Sequence, residues 1–276
     1  MKYLQRISIH DKDTFAKVVF AYYILLLLFR WHSSAFLTNI FAQPLQSPGA
    51  DNAFWLSHII GFPQYIIQHY WASLLLDISL VVFAIACFFM ATKKPVVCIV
   101  FIIIYITHRI TLESYACSHT KSMAAIFMAF LPFCCSKERN FYLTFEFSRY
   151  FLLYIMVASA FFKVYNGMAL QPNLFATTLI NQHIDVAINQ PTNFSYQIAS
   201  ILIKYPIIAG ISYTALVIVQ AFFIIGFFTK KIDNILFILL LCFTISTYLL
   251  MRIYNFDIII LGLFLLFSSY NKKHEH

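Results

Sequence analysis

The chain has 276 residues and a formal charge of +8, yet only 11% of its residues are charged and 61% are hydrophobic. With a mean hydropathy of +0.78, this excludes a water-soluble domain, in which about a quarter of residues are charged. It also excludes a nucleic-acid partner, because the cations sit in short clusters between apolar runs and build no basic domain.

Eight apolar segments, near 15–33, 70–91, 95–112, 120–135, 147–164, 207–228, 232–251 and 254–270, approach the roughly 20 residues that cross a bilayer as helix. A transmembrane barrel is ruled out, since LVVFAIACFFM is apolar on every face and does not alternate. The expected fold is all-α: a single integral membrane domain over 1–276, a polytopic bundle of about eight transmembrane helices.

The first run, FAKVVFAYYILLLLF, is followed by Arg30, Trp31 and His32 instead of a small-residue cleavage site. It reads as the first span, not a removable signal peptide. Residues 32–69 are rich in aromatic residues and histidine with few charges, a composition suited to an interfacial cap outside the membrane. The second span, WASLLLDISLVVFAIA, carries Asp77 in its middle. A carboxylate at membrane depth is a functional hypothesis by default. Arg30, Arg109 and Lys163 are its expected partners, and a structural ion pair and a proton-handling role both stand.

The densest polar stretch is THRITLESYACSHTKS, 107–122. His108 and Arg109 open it; on a helix Glu113 lies one turn beyond Arg109 and Cys117 one turn further, on one face. His119 and Lys121 begin the fourth span. A salt-bridged outer turn and a functional cluster both fit. Glu113, Cys117 and His119 lack a recognised zinc spacing, so no metal site is expected. The six cysteines form no Cys-x-x-Cys pair, and those in apolar runs read as small hydrophobes.

The fifth span, FLLYIMVASAFF, ends on Lys163. One reading is a lysine snorkelling to water from a helix end. The other is an amine held away from water, where it serves as a base for taking a proton from carbon. The segment that follows, 165–206, contains NLFATTLINQHIDVAINQ, helical in spacing with one polar face, and is expected to cap the outer end of the bundle.

Placing both termini in the cytoplasm puts 13 of the 19 lysines and arginines inside and 6 outside, as the positive-inside rule asks. The halves also resemble each other. LLFRWHSSAFL parallels AFFKVYNGMAL, pairing Arg30 with Lys163; CFFMATKK parallels GFFTKK; YITHRI parallels YLLMRI. The expected organisation is two parallel four-helix repeats, about 15–135 and 147–270.

The segment YFLLYIMVASAFFKVYNGMAL resembles the Tyr…Ser-Ala…Lys…Gly…Ala-Leu span of the vitamin K-dependent γ-carboxylase-like membrane domain, also called the horizontally transferred transmembrane domain. The FFxTKK pattern followed by further spans is similar to the same superfamily. The resemblance implies that Lys163 is the base used by an oxygenated quinone and that His119 supports that site. The chain closes at NKKHEH just past the last apolar run, so it is more similar to the stand-alone bacterial members. Those are needed to mature or export a secreted toxin peptide, as in the sporulation-delaying toxin system.

Two functions are expected from this. The first is an inner-membrane (plasma-membrane) multi-pass protein that assists peptide maturation or export with a membrane partner. The second is a membrane enzyme using a quinone or another membrane lipid as cofactor, with Lys163 as base and His119 and Asp77 supporting it. A transporter ranks last, because glycine is sparse and no pair of broken helices stands out.

Overall fold

The computed structural model describes residues 9–42, 52–115, 124–168 and 171–268, and every regular element among them is helical. Six helical stretches are long and apolar enough to cross a membrane: Lys12–Ile40, Tyr70–Met90, Pro95–Tyr115, Glu138–Tyr165, Pro206–Phe227 and Asp233–Met251. The protein is thus an α-helical membrane protein. Its α-helices are α1 (Ile9–His32), α2 (Asn52–Ile60), α3 (Phe62–Gln68), α4 (Tyr70–Met90), α5 (Pro95–Tyr115), α6 (Glu138–Tyr165), α7 (Pro172–Asn189), α8 (Phe194–Lys204), α9 (Pro206–Phe222), α10 (Asp233–Met251) and α11 (Ile258–Phe267). They form two compact units, Met1–Ser148 with Phe256–Phe267, and Arg149–Asn255 with Ser268–His276.

The first unit is built on aromatic packing. Phe15, Val19, Phe20, Tyr23 and Leu27 repeat at helical spacing down one buried face of α1. Their rings meet edge to face with α5: Phe20 and Tyr23 lie 5.5 and 5.4 Å from Phe101 at 77° and 80°. Such pairs add roughly 0.5–1.5 kcal/mol each beyond the area they bury. The α4–α5 turn is pinned to α1 by Thr92 Oγ1, which donates to Asp13 Oδ1 at 2.9 Å. Pro95 opens α5, where its missing N–H has no helical partner to lose. At the other end, Leu37, Ile40, Ile67, Leu112 and Tyr115 pack together, fixing a 3₁₀ turn (Leu37–Ile40) and α3 against α5.

Two expected spans take a different form among the described residues. Within 120–135, the described part consists of two 3₁₀ turns, Ala124–Ala129 and Leu131–Cys134. Pro132 interrupts an α-helix there, since it brings no N–H and crowds the preceding turn. Ile126, Ala129, Phe130 and Phe133 are all buried, with Phe130 against Phe20 and Tyr23 and Phe133 against Phe15. Within 254–270 the helix is α11, ten residues long, or about 15 Å. Residues Ile258 to Leu265 are buried on every side, as expected of a helix apolar all round. α11 also lies along α1: Asp257 bonds to Arg30, while Phe264 and Phe267 pack on Phe15.

In the second unit, α7 and α8 pack on α9 and against the end of α10. Phe175, Ala176 and Leu179 of α7 pack with Leu202 of α8 and Ala209 of α9. Asn193 caps α8 by accepting from the Ser195 N–H at 3.0 Å. The α7–α8 pair is clasped to the end of α10, whose last carbonyls would otherwise lack partners. Ser195 Oγ donates to the Leu249 carbonyl, and His183 Nε2 donates to the Leu250 carbonyl at 2.7 Å. Arg252, left-handed at φ 54°, ends α10 and pairs with Asp185 at 2.7 Å. α9 tightens into a 3₁₀ turn, Phe223–Phe227. Gly226 permits that turn to sit close, because a Cβ there would lie 2.7 Å from Leu153 Cδ2 and 2.8 Å from Leu236 Cδ1.

Candidate functional site

Asp77 faces inward from α4 and is buried, as an acid on an apolar helix must be to find donors. Its partners differ from the expected Arg30, Arg109 or Lys163. Oδ1 accepts from the Leu37 N–H at 3.2 Å and from His108 Nε2 at 2.9 Å. Oδ2 accepts from the Thr38 N–H and from Thr38 Oγ1, both at 3.0 Å. The turn at Leu37 exposes free N–H groups at its start, and an aspartate is short enough to cap them. Four donors on two oxygens fill the usual acceptor capacity of a carboxylate.

Arg30 and Arg109 go elsewhere, to a residue that sequence reasoning missed. Both guanidinium groups bond to Asp257, at the head of α11. Arg109 Nη2 reaches its two oxygens at 3.0 and 3.1 Å, and its guanidinium lies 5.5 Å over the Tyr105 ring. All three side chains are buried, so each charge needs the others. Asp257 was detectable: it stands between Phe256 and an isoleucine run, the same signal that singled out Asp77. Glu113 lies one turn beyond Arg109 on α5 and is half-buried. His119 and Cys117 lie outside the described residues.

Lys163 belongs to the second unit. Its amine bends back along α6 to Ser159 Oγ at 3.0 Å and across to Gln220 Oε1 of α9 at 2.6 Å. Gln220 Nε2 also reaches Ser159 Oγ, at 3.3 Å. All of these partners are neutral. Gln220, buried within LVIVQAFFII, is a second residue that the sequence reading passed over. Arg149, on α6, is fully buried. It grips Asp233 with two bonds, Nε to Oδ2 at 2.7 Å and Nη2 to Oδ1 at 2.6 Å. Nη2 also donates to the Gly226 carbonyl at 2.8 Å, and Ser268 donates to Asp233. This holds the 3₁₀ end of α9 to the start of α10.

A pocket of about 510 Å³ lies beside Asp77, between α1 and α4. That is within the range of small-molecule sites, about 300–1,000 Å³. Thr38, Asn39 and Asp77 are its polar lining, and aliphatic side chains such as Ile24, Leu28, Val82 and Ile85 make most of the rest. No group of three or more metal-ligating side chains occurs among the described residues. Comparison of the chain with protein-family models, with curated proteins and with solved structures found no match.

Proposed function

We propose that this is a multi-pass plasma-membrane protein of the γ-carboxylase-like, horizontally transferred transmembrane domain type. In this reading it assists the maturation or export of a secreted peptide together with a membrane partner. The observation that carries the reading is the clasped cap of the second unit: α7 and α8 are fastened to the end of α10 through Ser195, His183 and the Arg252–Asp185 pair. A cap so anchored offers a fixed platform at the mouth of a bundle, where a peptide leaving the bilayer would be met. Deletion of the gene is expected to abolish the mature peptide in the culture medium, read by mass spectrometry; unchanged peptide would sink the reading.

Eight crossings in two parallel quartets, with both termini cytoplasmic, belong to the same proposal. The 3₁₀ segment and α11 support the count of eight, with α11 belonging to the first compact unit. Each runs beside α1 towards Phe15, and each is buried in protein, where a non-helical or short crossing is tolerated. Reporter fusions at the two ends and within residues 116–119 test this. The tag at 116–119 is expected outside and the two end tags inside.

A second reading, a membrane-embedded enzyme, is favoured by Lys163. An amine bonded to Ser159 and Gln220 gives up its proton without breaking an ion pair. Its cofactor would be a quinone or another membrane lipid. Lys163→Ala is expected to remove activity at normal protein abundance, and full activity in that variant eliminates Lys163 as base.

A further inference from the structure

The pocket beside Asp77 has a polar end and a greasy end. α1 and α4 carry it along their length: Thr38, Asn39 and Asp77 sit at one end and Ile85 at the other. From Asp77 to Ile85 is eight residues of α4, about 12 Å. Its walls are not sealed. Leu28, Ile78, Val82 and Ile85 are 53%, 51%, 54% and 43% exposed, and all lie on helices long enough to span the membrane. The pocket therefore opens sideways into hydrocarbon, and its occupant arrives from the bilayer.

The polar end constrains the head group. Asp77 has no acceptor capacity left, since both oxygens already take two donors each. An ammonium head thus finds no free lone pair there. Asn39 Oδ1 accepts from the Phe36 N–H at 3.3 Å, and its amide hydrogens make no bond among the described residues. That leaves an N–H donor for a ligand oxygen. An anionic oxygen is disfavoured by the Asp77 carboxylate in the same wall, in a setting where charges are weakly screened. We infer that the α1–α4 pocket binds a long-chain amphiphile with an uncharged, oxygen-bearing head, such as a long-chain alcohol or an acylglycerol. The head bonds to Asn39, and the chain lies along Ile78, Val82 and Ile85.

The inference does not depend on the peptide-maturation reading. It is tested with the full-length protein in lipid nanodiscs and two photoreactive probes, the alcohol and the sulfate ester of one diazirine-bearing hydrocarbon chain. The alcohol is expected to label α1 and α4 peptides at least about tenfold more than the sulfate, the ratio that corresponds to 1.4 kcal/mol. Asn39→Leu is expected to lower alcohol labelling severalfold, and Ile85→Trp, which fills the greasy end, to abolish it. Asp77→Asn is expected to bring the sulfate up towards the alcohol. Equal labelling by both probes in the wild type, or full labelling of the Ile85→Trp protein, overturns the inference. The Asn39 and Ile85 substitutions lie outside the Asp77 hydrogen-bond set, so they keep the test decisive should Asp77→Asn fail to fold.

Discussion

Asp77 in the first unit and Asp233 in the second are both buried acids on apolar helices, but they are satisfied in opposite ways. Asp233 meets a guanidinium through two bonds of 2.7 and 2.6 Å and a serine hydroxyl. Its charge is cancelled where it stands. Asp77 is held by two backbone N–H groups, a hydroxyl and an imidazole, and it borders a pocket. The first arrangement joins elements together. The second leaves a polar wall facing a ligand-sized space. The difference lies in the partners, since burial is nearly the same: Asp77 is 6% and Asp233 1% exposed.

The largest effect is expected from breaking the closed pair. Arg149→Met strands Asp233, and loss of one partner of a buried ion pair is worth about 3–5 kcal/mol. Thermal unfolding in detergent is expected to show this as a marked drop in midpoint. Adding Asp233→Leu to the same chain is expected to recover most of it; a double variant as unstable as the single one breaks the contrast. Asp77→Asn keeps one acceptor and loses the rest, so it is expected to cost about 1–3 kcal/mol. A loss larger than that of Arg149→Met would reverse the assigned roles.

Gly226→Ala sharpens the same contrast from the backbone side. Its Cβ would meet Leu153 and Leu236 at 2.7 and 2.8 Å, and overpacking of this kind costs about 1–3 kcal/mol. Denaturant midpoints are expected to fall, most clearly in probes placed at the α9–α10 junction. The smallest effect belongs to the exposed clasp. Arg252 and Asp185 side chains are 25% and 54% exposed, and such a pair contributes about 0–1 kcal/mol. Arg252→Gly loses that pair but relieves a left-handed residue at the end of α10, so its net change in stability is expected to be near zero.

Much of the architecture was legible because oil imposes one rule along the whole chain. Lengths of about 20 apolar residues mark helices, and six of the eight expected segments are long helical stretches. Four lie within three residues of their expected limits, while α6 starts nine residues early and the first stretch runs seven residues further, to Ile40. The described parts of the two that differ, within 120–135 and 254–270, are largely buried in protein. Apolar composition alone does not tell a lipid-facing helix from a core one. Polar residues were legible as individuals and not as pairs. Asp77, Arg30 and Arg109 stood out by their setting, yet Arg30 and Arg109 meet Asp257, which is 227 and 148 positions away.

Taken alone, the sequence determined that the protein is helical, that it lives in a membrane and which side chains are expensive to bury, because hydropathy and charge act locally along the chain. Which acid met which cation, where α9 tightened at Gly226 and which carboxylate came to border a pocket were decided only by tertiary structure. Those outcomes depend on atoms brought within about 3 Å from distant parts of the chain, and hydrogen bonds at that range carry no trace in residue order.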